Sequence, residues 1–299
     1  MSGVAQGAAQ LPGVAPGAAT ARPDHELRPV EGPSALGTSP TRFWNLLWLT
    51  SLTDFRLRYL HTSLGYFWTL LKPLLFFGIV FLFIRQILGF GDQIKNYAPM
   101  LMLNIILFQY FQETTNQGLR CLPGREALVR KMRFPRLVIP LAISLTGLLT
   151  LGANLVVGMA LVLIFGVEPT WTWVLLPVAV AWLVLVTTGI EVLLAATFVR
   201  FRDVAQGWTV LARILFYGSP ILYPIEAVDG ALRNVVLANP LAPVFLQVRN
   251  WITDPAAPSF VEAAPSTVMV VVPIALSIVV IGAGLWFFIR EAPGVGESL

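Results

Sequence analysis

Three ionisable residues interrupt stretches that are otherwise apolar: Lys72, Glu191 and Arg213. A charge inside an apolar span is costly, so it marks either a buried ion pair or a wall that faces a polar cavity. Counted along their runs, the three fall at similar depth. Two readings follow. Either Glu191 pairs with Lys72 or Arg213 and ties helices together, or the three form a polar wall against a hydrophilic cargo. Arg85 lies near the end of its run, where a long side chain snorkels to the interface.

Other chemistries are excluded by what the chain lacks. Lys72, Lys95 and Lys131 follow Leu, Ile and Arg, so no Gly-Lys pair exists to build a phosphate-binding loop. There is no Gly-x-Ser-x-Gly elbow and no His-Glu-x-x-His pair. His25, His61 and Cys121 are too few for a His/Cys metal cluster, and one cysteine forms no intrachain disulfide. The paired acids that a membrane glycosyltransferase needs are missing. The expectation is a conduit without catalytic residues, metal or cofactor. An ion-driven secondary transporter, which often carries internal repeats and would want more than the lone Glu191, and a membrane-embedded glycosyltransferase are the alternatives from other classes.

The elements that position these charges are membrane helices. Hydrophobic residues make up 56% of the 299 residues and charged residues 12%, and the mean hydropathy is +0.74. A soluble domain carries about 25% charged residues, so a soluble enzyme is excluded. Apolar runs predict an all-α polytopic protein with six spans, at about 66–88, 98–111, 137–167, 173–198, 208–223 and 267–289, within a membrane domain of residues 62–291. The fifth run is broken by Pro220 and Pro224. Residues 1–40, rich in Ala, Gly and Pro and without a signal-peptide core, read as a disordered tail, and 292–299 as a short tail. Residues 41–61 place Phe43, Trp44, Leu46, Leu47, Leu49, Leu52, Phe55 and Tyr59 at helical spacing among charges, which predicts an amphipathic helix in the interface.

Charge asymmetry orients the spans. Of 20 Lys and Arg, Lys95, Arg233 and Arg249 lie in outer segments and Lys72, Arg85 and Arg213 inside spans; the other 14 lie in inner segments when both termini are cytoplasmic. The net charge of +4 is therefore a topology signal and not a nucleic-acid patch. Between the fifth and sixth spans, the apolar stretches 231–237 and 241–248 flank Asn239-Pro240. Proline-broken apolar half-helices predict re-entrant elements, tolerated at membrane depth where protein covers them.

Several motifs carry a family resemblance. Asp54-Phe-Arg-Leu-Arg-Tyr59 leads into Ser63-Leu-Gly-Tyr-Phe-Trp68 and Lys72-Pro73-Leu74; Lys131-Met-Arg-Phe-Pro-Arg136, Arg200-Phe-Arg-Asp203, Ser219-Pro-Ile-Leu-Tyr-Pro224 and Asn239-Pro-Leu-Ala-Pro243 follow in order. Over residues 42–290 the chain resembles permease subunits of type-2 ABC exporters for lipid-linked polysaccharides. The resemblance implies a six-span half-transporter in the bacterial inner membrane. Two copies form a channel, and two separate ATPase subunits holding ATP and magnesium drive it. The implied cargo is a lipid-linked polysaccharide of wall-galactan or O-antigen type, with teichoic acid, a drug or a lipid as alternatives. Arg outnumbers Lys 17 to three, a composition that favours galactan.

The resemblance also implies roles. Arg130, Lys131, Phe134, Pro135 and Arg136, with Arg200, Arg202 and Asp203, would meet the ATPase, although topology alone also places positive charge there. Sugars are held by aromatic faces and hydrogen bonds. Tyr59, Tyr66, Phe67 and Trp68, then Phe108, Tyr110 and Phe111, then Phe216 and Tyr217 are candidates for the channel wall, with anchoring in the lipid interface as their other reading. Arg56 and Arg58 would meet a diphosphate. Pro220, Tyr223, Pro224, Asn239, Pro240 and Pro243 would form the external gate.

Overall fold

The computed structural model describes residues 40–60, 65–89, 94–125 and 135–291. The expected N-terminal tail up to residue 39, the tail 292–299, and Arg130, Lys131 and Phe134 lie outside the described residues.

Regular structure among the described residues is helical throughout. Among the described residues, four helices are long and apolar enough to cross a membrane. They are α2 (Gly65–Phe83, extended by a π-helical turn Ile84–Leu88), α4 (Val138–Ile164), α5 (Leu176–Arg200, led by a 3-10 turn Trp171–Leu175) and α10 (Thr267–Glu291). Their outward faces are apolar, as at Ile79, Val174 and Ile278. Such surface suits lipid and would be a liability in water.

The second expected span differs in extent. Helix α3 (Tyr97–Leu119) runs a further two turns past Phe111, through Gln112, Glu113, Thr114, Thr115, Asn116 and Gln117. Seventeen of its 23 residues are buried, and it packs on α2, α4, α5 and α6 (Val204–Tyr217). A helix surrounded by protein needs no uniformly apolar surface, and its polar turns persist because neighbours and a cavity receive them.

The fifth expected span is shortened. Helix α6 ends at Tyr217, ahead of Pro220. Its 14 residues, at about 1.5 Å each, reach about 21 Å, short of the ~30 Å hydrocarbon core. Beyond it, α7 (Gly230–Ala238) and α8 (Ala242–Val248, extended by a π-helical turn Arg249–Thr253) are together apolar enough to cross but meet at 96°. Asn239-Pro240 makes the break. Pro240 has no N–H to continue the helix, the Asn239 Oδ1 accepts the Leu241 N–H at 3.0 Å, and Pro243 starts the next helix. A four-residue helix, α9 (Phe260–Ala263), closes the segment with a Ser259–Glu262 capping box.

Helix α1 (Pro40–Leu60) occupies the expected N-terminal position. Its inner stripe, with Leu47 and Ser51 buried and Phe43 half-buried, packs on α4. Ser51 donates to the Ala142 carbonyl at 3.3 Å and Thr146 donates to the Ser51 carbonyl at 3.2 Å. The face turned away carries Trp44, Trp48, Leu49 and Leu57, all exposed. Apolar residues therefore lie on both sides of this helix, in place of the single apolar face that the spacing predicts.

In lipid, helices associate through close packing more than through water exclusion. Helices α5 and α10 show this. A Cβ on Gly189 would come within 2.5 Å of Ile281, and one on Gly284 within 2.6 Å of the Gly189 carbonyl oxygen. Only glycine lets these backbones approach so closely.

Candidate functional site

A cleft of about 450 Å³ opens between α2, α3 and α6. Helical spacing places its lining. Lys72 and Phe76 stand one turn apart on α2. Ile105, Phe108, Gln109, Gln112 and Glu113 form one face of α3, and Thr209, Arg213, Phe216 and Tyr217 one face of α6. Phe216 is the aromatic centre, with ring centroids 5.1 Å from Phe108, 5.8 Å from Phe76 and 5.2 Å from Tyr217. Gln109 Nε2 donates to Glu113 Oε1 at 2.9 Å. Aromatic faces, amides and two cations thus share one wall, which can stack on sugar rings, bond hydroxyls and attract anions.

Beside the cleft lies a narrow polar crevice, joined to it through Gln109 and Glu113 and lined also by Arg58, Tyr110, Thr114, Gln117 and Asn154. Arg58 Nη2 donates to Gln117 Oε1.

Of the three ionisable residues at similar expected depth, the structure brings only two together. Lys72 and Arg213 face the cleft. Glu191 is elsewhere and fully buried. It accepts a hydrogen bond from Ser144 Oγ, which lies 2.9 Å from Thr188 Oγ1, and it packs against Gly118, where any Cβ would overlap its side chain. Among the described residues no ion pair joins Glu191 to Lys72 or Arg213, so the expected pairing is corrected. Depth along a helix says nothing of the direction a side chain takes around it.

The other expected wall residues divide. Phe108, Phe216 and Tyr217 line the cleft and Tyr110 the crevice. Phe111 is fully buried, against Trp208 at 5.9 Å, and does not line the cleft. Phe67 and Trp68 are exposed on α2, and Arg56 on α1. The side chains of Tyr59 and Tyr66 lie outside the described set.

The expected coupling residues are similarly split. Pro135 and Arg136 are buried, Arg136 with 4% exposure and with Nε and Nη1 unpartnered. Burial lowers the pKa of its guanidinium. Arg136 is thus packed inside, not presented on the surface as the positive-loop reading expects. Arg200, Arg202 and Asp203 are exposed where α5 turns into α6, and Arg200 pairs with Glu291 at 3.6 Å.

Several expected gate residues bond to neighbouring elements. Asn239 Nδ2 donates to Ser219 Oγ at 2.8 Å, tying the break between α7 and α8 to the segment after α6. The Pro220 carbonyl accepts from Asn104 Nδ2 at 3.3 Å, and the Pro240 carbonyl from Trp182 Nε1 at 3.3 Å. The Tyr223 hydroxyl donates to the Tyr217 carbonyl at 3.0 Å, and Pro224 is buried. Pro243 opens α8 within the same fold-back.

Gln109, Gln112, Glu113 and Thr209, with Phe76 and Ile105, are cleft residues that sequence reasoning missed. The available signal was the spacing of Gln109, Gln112, Glu113 and Asn116 on one helical face, visible only when the helix is carried past Phe111.

Residues 45–252 match the family described as ABC-2 type transporter. The chain is similar to the O-antigen export system permease protein RfbA of Klebsiella pneumoniae, with 27% identity over 209 residues that cover 69% of this chain and 80% of that protein. It is also similar to the protein of that name from Myxococcus xanthus, with 31% identity over 194 residues that cover 63% and 72%. With apolar spanning helices and a match over more than half its length, the chain belongs to the ABC-2 type transporter family and is a membrane transport subunit, not an enzyme.

Proposed function

We propose that this chain is the permease of an ATP-driven exporter that carries lipid-linked polysaccharide, of O-antigen or wall-galactan type, across the bacterial inner membrane. The observation that carries the reading is the cleft, where stacking aromatics, amides and cations meet on three helices of a membrane transport subunit. The names of the similar permeases support the cargo class. Both termini are cytoplasmic. The chain crosses six times when α3, buried in the bundle, and the short α6 with the segment after it are counted as spans. The bent pair α7–α8 is then a re-entrant external gate.

Two copies set their clefts face to face around a common path. Two ATPase subunits bind ATP and magnesium, because this sequence has no phosphate-binding loop of its own. They dock at the cytoplasmic ends, where Arg200, Arg202 and Asp203 are exposed. Depleting the chain in its native cell should leave a lipid-linked glycan accumulating on the cytoplasmic side. The purified chain should bring down an ATPase whose turnover depends on it. Transport by the chain without any ATPase would overturn the proposal.

A further inference from the structure

Two walls of the cleft, α3 and α6, meet at the end of the cleft nearest the proline-broken segments. Phe108 packs on Phe216 with ring centroids 5.1 Å apart. One turn on, Asn104 Nδ2 donates to the Pro220 carbonyl at 3.3 Å. Further along, the Tyr97 hydroxyl donates to the Leu222 carbonyl at 2.7 Å. Phe108, Asn104 and Tyr97 thus meet Phe216, Pro220 and Leu222 in turn, as α3 runs back and the chain beyond α6 runs on. The sequence dictates the first of these carbonyls. In a helix the Pro220 carbonyl would accept from residue 224, which is a proline without an N–H. A carbonyl freed in this way inside a membrane bundle needs a donor from a neighbour. Asn104 and Tyr97 are both buried, and Asn104 Oδ1 has no partner among the described residues, so one hydrogen bond alone fixes that amide. The fold-back of α7 and α8 is held from another side. Trp182 Nε1 donates to the Pro240 carbonyl at 3.3 Å and Thr172 Oγ1 to the Trp251 carbonyl at 2.5 Å. Helix α3 packs closely on α4 and α5 but only sparsely on α6.

We propose that Asn104 and Tyr97 are a latch: their two hydrogen bonds close the gate end of the cleft, and cargo leaves when α3 and the segment after α6 part there. This deepens the exporter reading and rests on the cleft being the cargo path and on the proline-broken segments being its gate. A seam with few contacts opens without unpacking the core, so the two bonds weigh heavily in it. Each neutral hydrogen bond shifts an equilibrium severalfold, enough to bias the gate shut without locking it. The groups that part are an amide, a phenol and two carbonyls. Sugar hydroxyls donate and accept, so they replace the lost partners on both sides and no polar group is left unmet as a glycan passes. The donors carry no charge, so they hold no anion or cation back at the exit.

The test uses the full chain, purified from its native cell, in proteoliposomes loaded with carboxyfluorescein and without ATP. Tyr97→Phe and Asn104→Leu each remove a donor at nearly constant volume. Each should raise dye efflux about fivefold, the weight of one hydrogen bond, and should speed amide hydrogen exchange in residues 219–225. Ser51→Ala is the control, because it removes a buried hydroxyl that bonds α1 to α4, far along the chain from either latch partner. It should lower the unfolding temperature as the latch variants do, with efflux unchanged. Efflux from Ser51→Ala as large as theirs would mean general loosening and overturns the latch. Unchanged exchange and unchanged efflux in both latch variants also overturn it, and leave the exporter reading untouched. Faster exchange in residues 219–225 with unchanged efflux shows a segment that α3 holds but that seals nothing. In that case the gate reading falls, and the latch falls with it.

Discussion

Helix α3 touches two polar regions that differ in kind. One is a buried knot: Ser144 bonds Glu191 and lies beside Thr188, and Glu191 presses on Gly118. The other is the open cleft, where Gln109, Gln112 and Glu113 face Lys72 and Arg213 across about 450 Å³. In the knot, the Ser144 hydroxyl bonds one oxygen of the acid and a glycine makes room for its side chain, so polarity holds helices together. In the cleft, side chains keep unused donors and charge, so polarity is available to a ligand. A membrane-buried charge is thus read by its surroundings: a fitted neighbour signals structure, and empty space signals transport.

The knot is where the comparison can be broken with the greatest effect. Gly118→Ala places a Cβ into the Glu191 side chain, and α3 and α5 must separate to relieve it. A loss of about 3 kcal/mol is expected, seen as a lower unfolding temperature and lower yield. Cys121, just beyond the end of α3, supplies a second readout. It is buried, and burial, then the nearby Glu191, pushes its thiol up against a smaller opposing effect of Arg125. A group raised this far stays protonated as pH rises, so labelling by a water-soluble maleimide should be slow at pH 7 and no faster at pH 9. An ordinary thiol would speed up across that range. Gly118→Ala should expose Cys121 to the reagent.

Glu191→Ala comes next, at about 2 kcal/mol, because it empties a packed site and removes an acceptor from Ser144. Combined with Gly118→Ala it should cost less than the two changes added, since the clash partner is gone. Additive losses in the double variant would show that Gly118 and Glu191 do not meet as described.

How far these regions were legible follows from what each feature leaves in one dimension. Lys72 and Arg213 stood out because a charge in an apolar run is conspicuous, and Phe108, Phe216 and Tyr217 because aromatics near those charges are. Pro220, Asn239 and Pro240 announced the breaks, since proline acts locally. Gln109, Gln112 and Glu113 were hidden because falling hydropathy after Phe111 looks like the end of a span. Burial by four neighbouring helices, a tertiary effect, keeps that helix going to Leu119. That Glu191 meets neither Lys72 nor Arg213 among the described residues has a related reason: depth is legible from the sequence, but direction around the helix depends on which neighbours pack where. The bond from Asn239 to Ser219 crosses 20 residues and left no local trace.

On the cleft side the expected losses of stability shrink while effects on transport grow. Phe216→Ala removes three aromatic contacts and should cost about 1 kcal/mol, with export lowered severalfold. A loss of several kcal/mol would mean that Phe216 is a core residue and not a wall.

Gln112→Ala should have the smallest effect on folding and is the sharpest test of the contrast. Its side chain is exposed, and no hydrogen bond holds it among the described residues. The unfolding temperature should therefore match the unaltered protein to within about 0.5 kcal/mol. If the cleft receives cargo, the missing amide is felt only when a sugar hydroxyl needs it. Glycan export in cells should then fall by about tenfold, the size of one hydrogen bond left unmade in a water-poor site. Intact folding with reduced export is a combination that no knot substitution can give, because there every loss of function passes through a loss of packing.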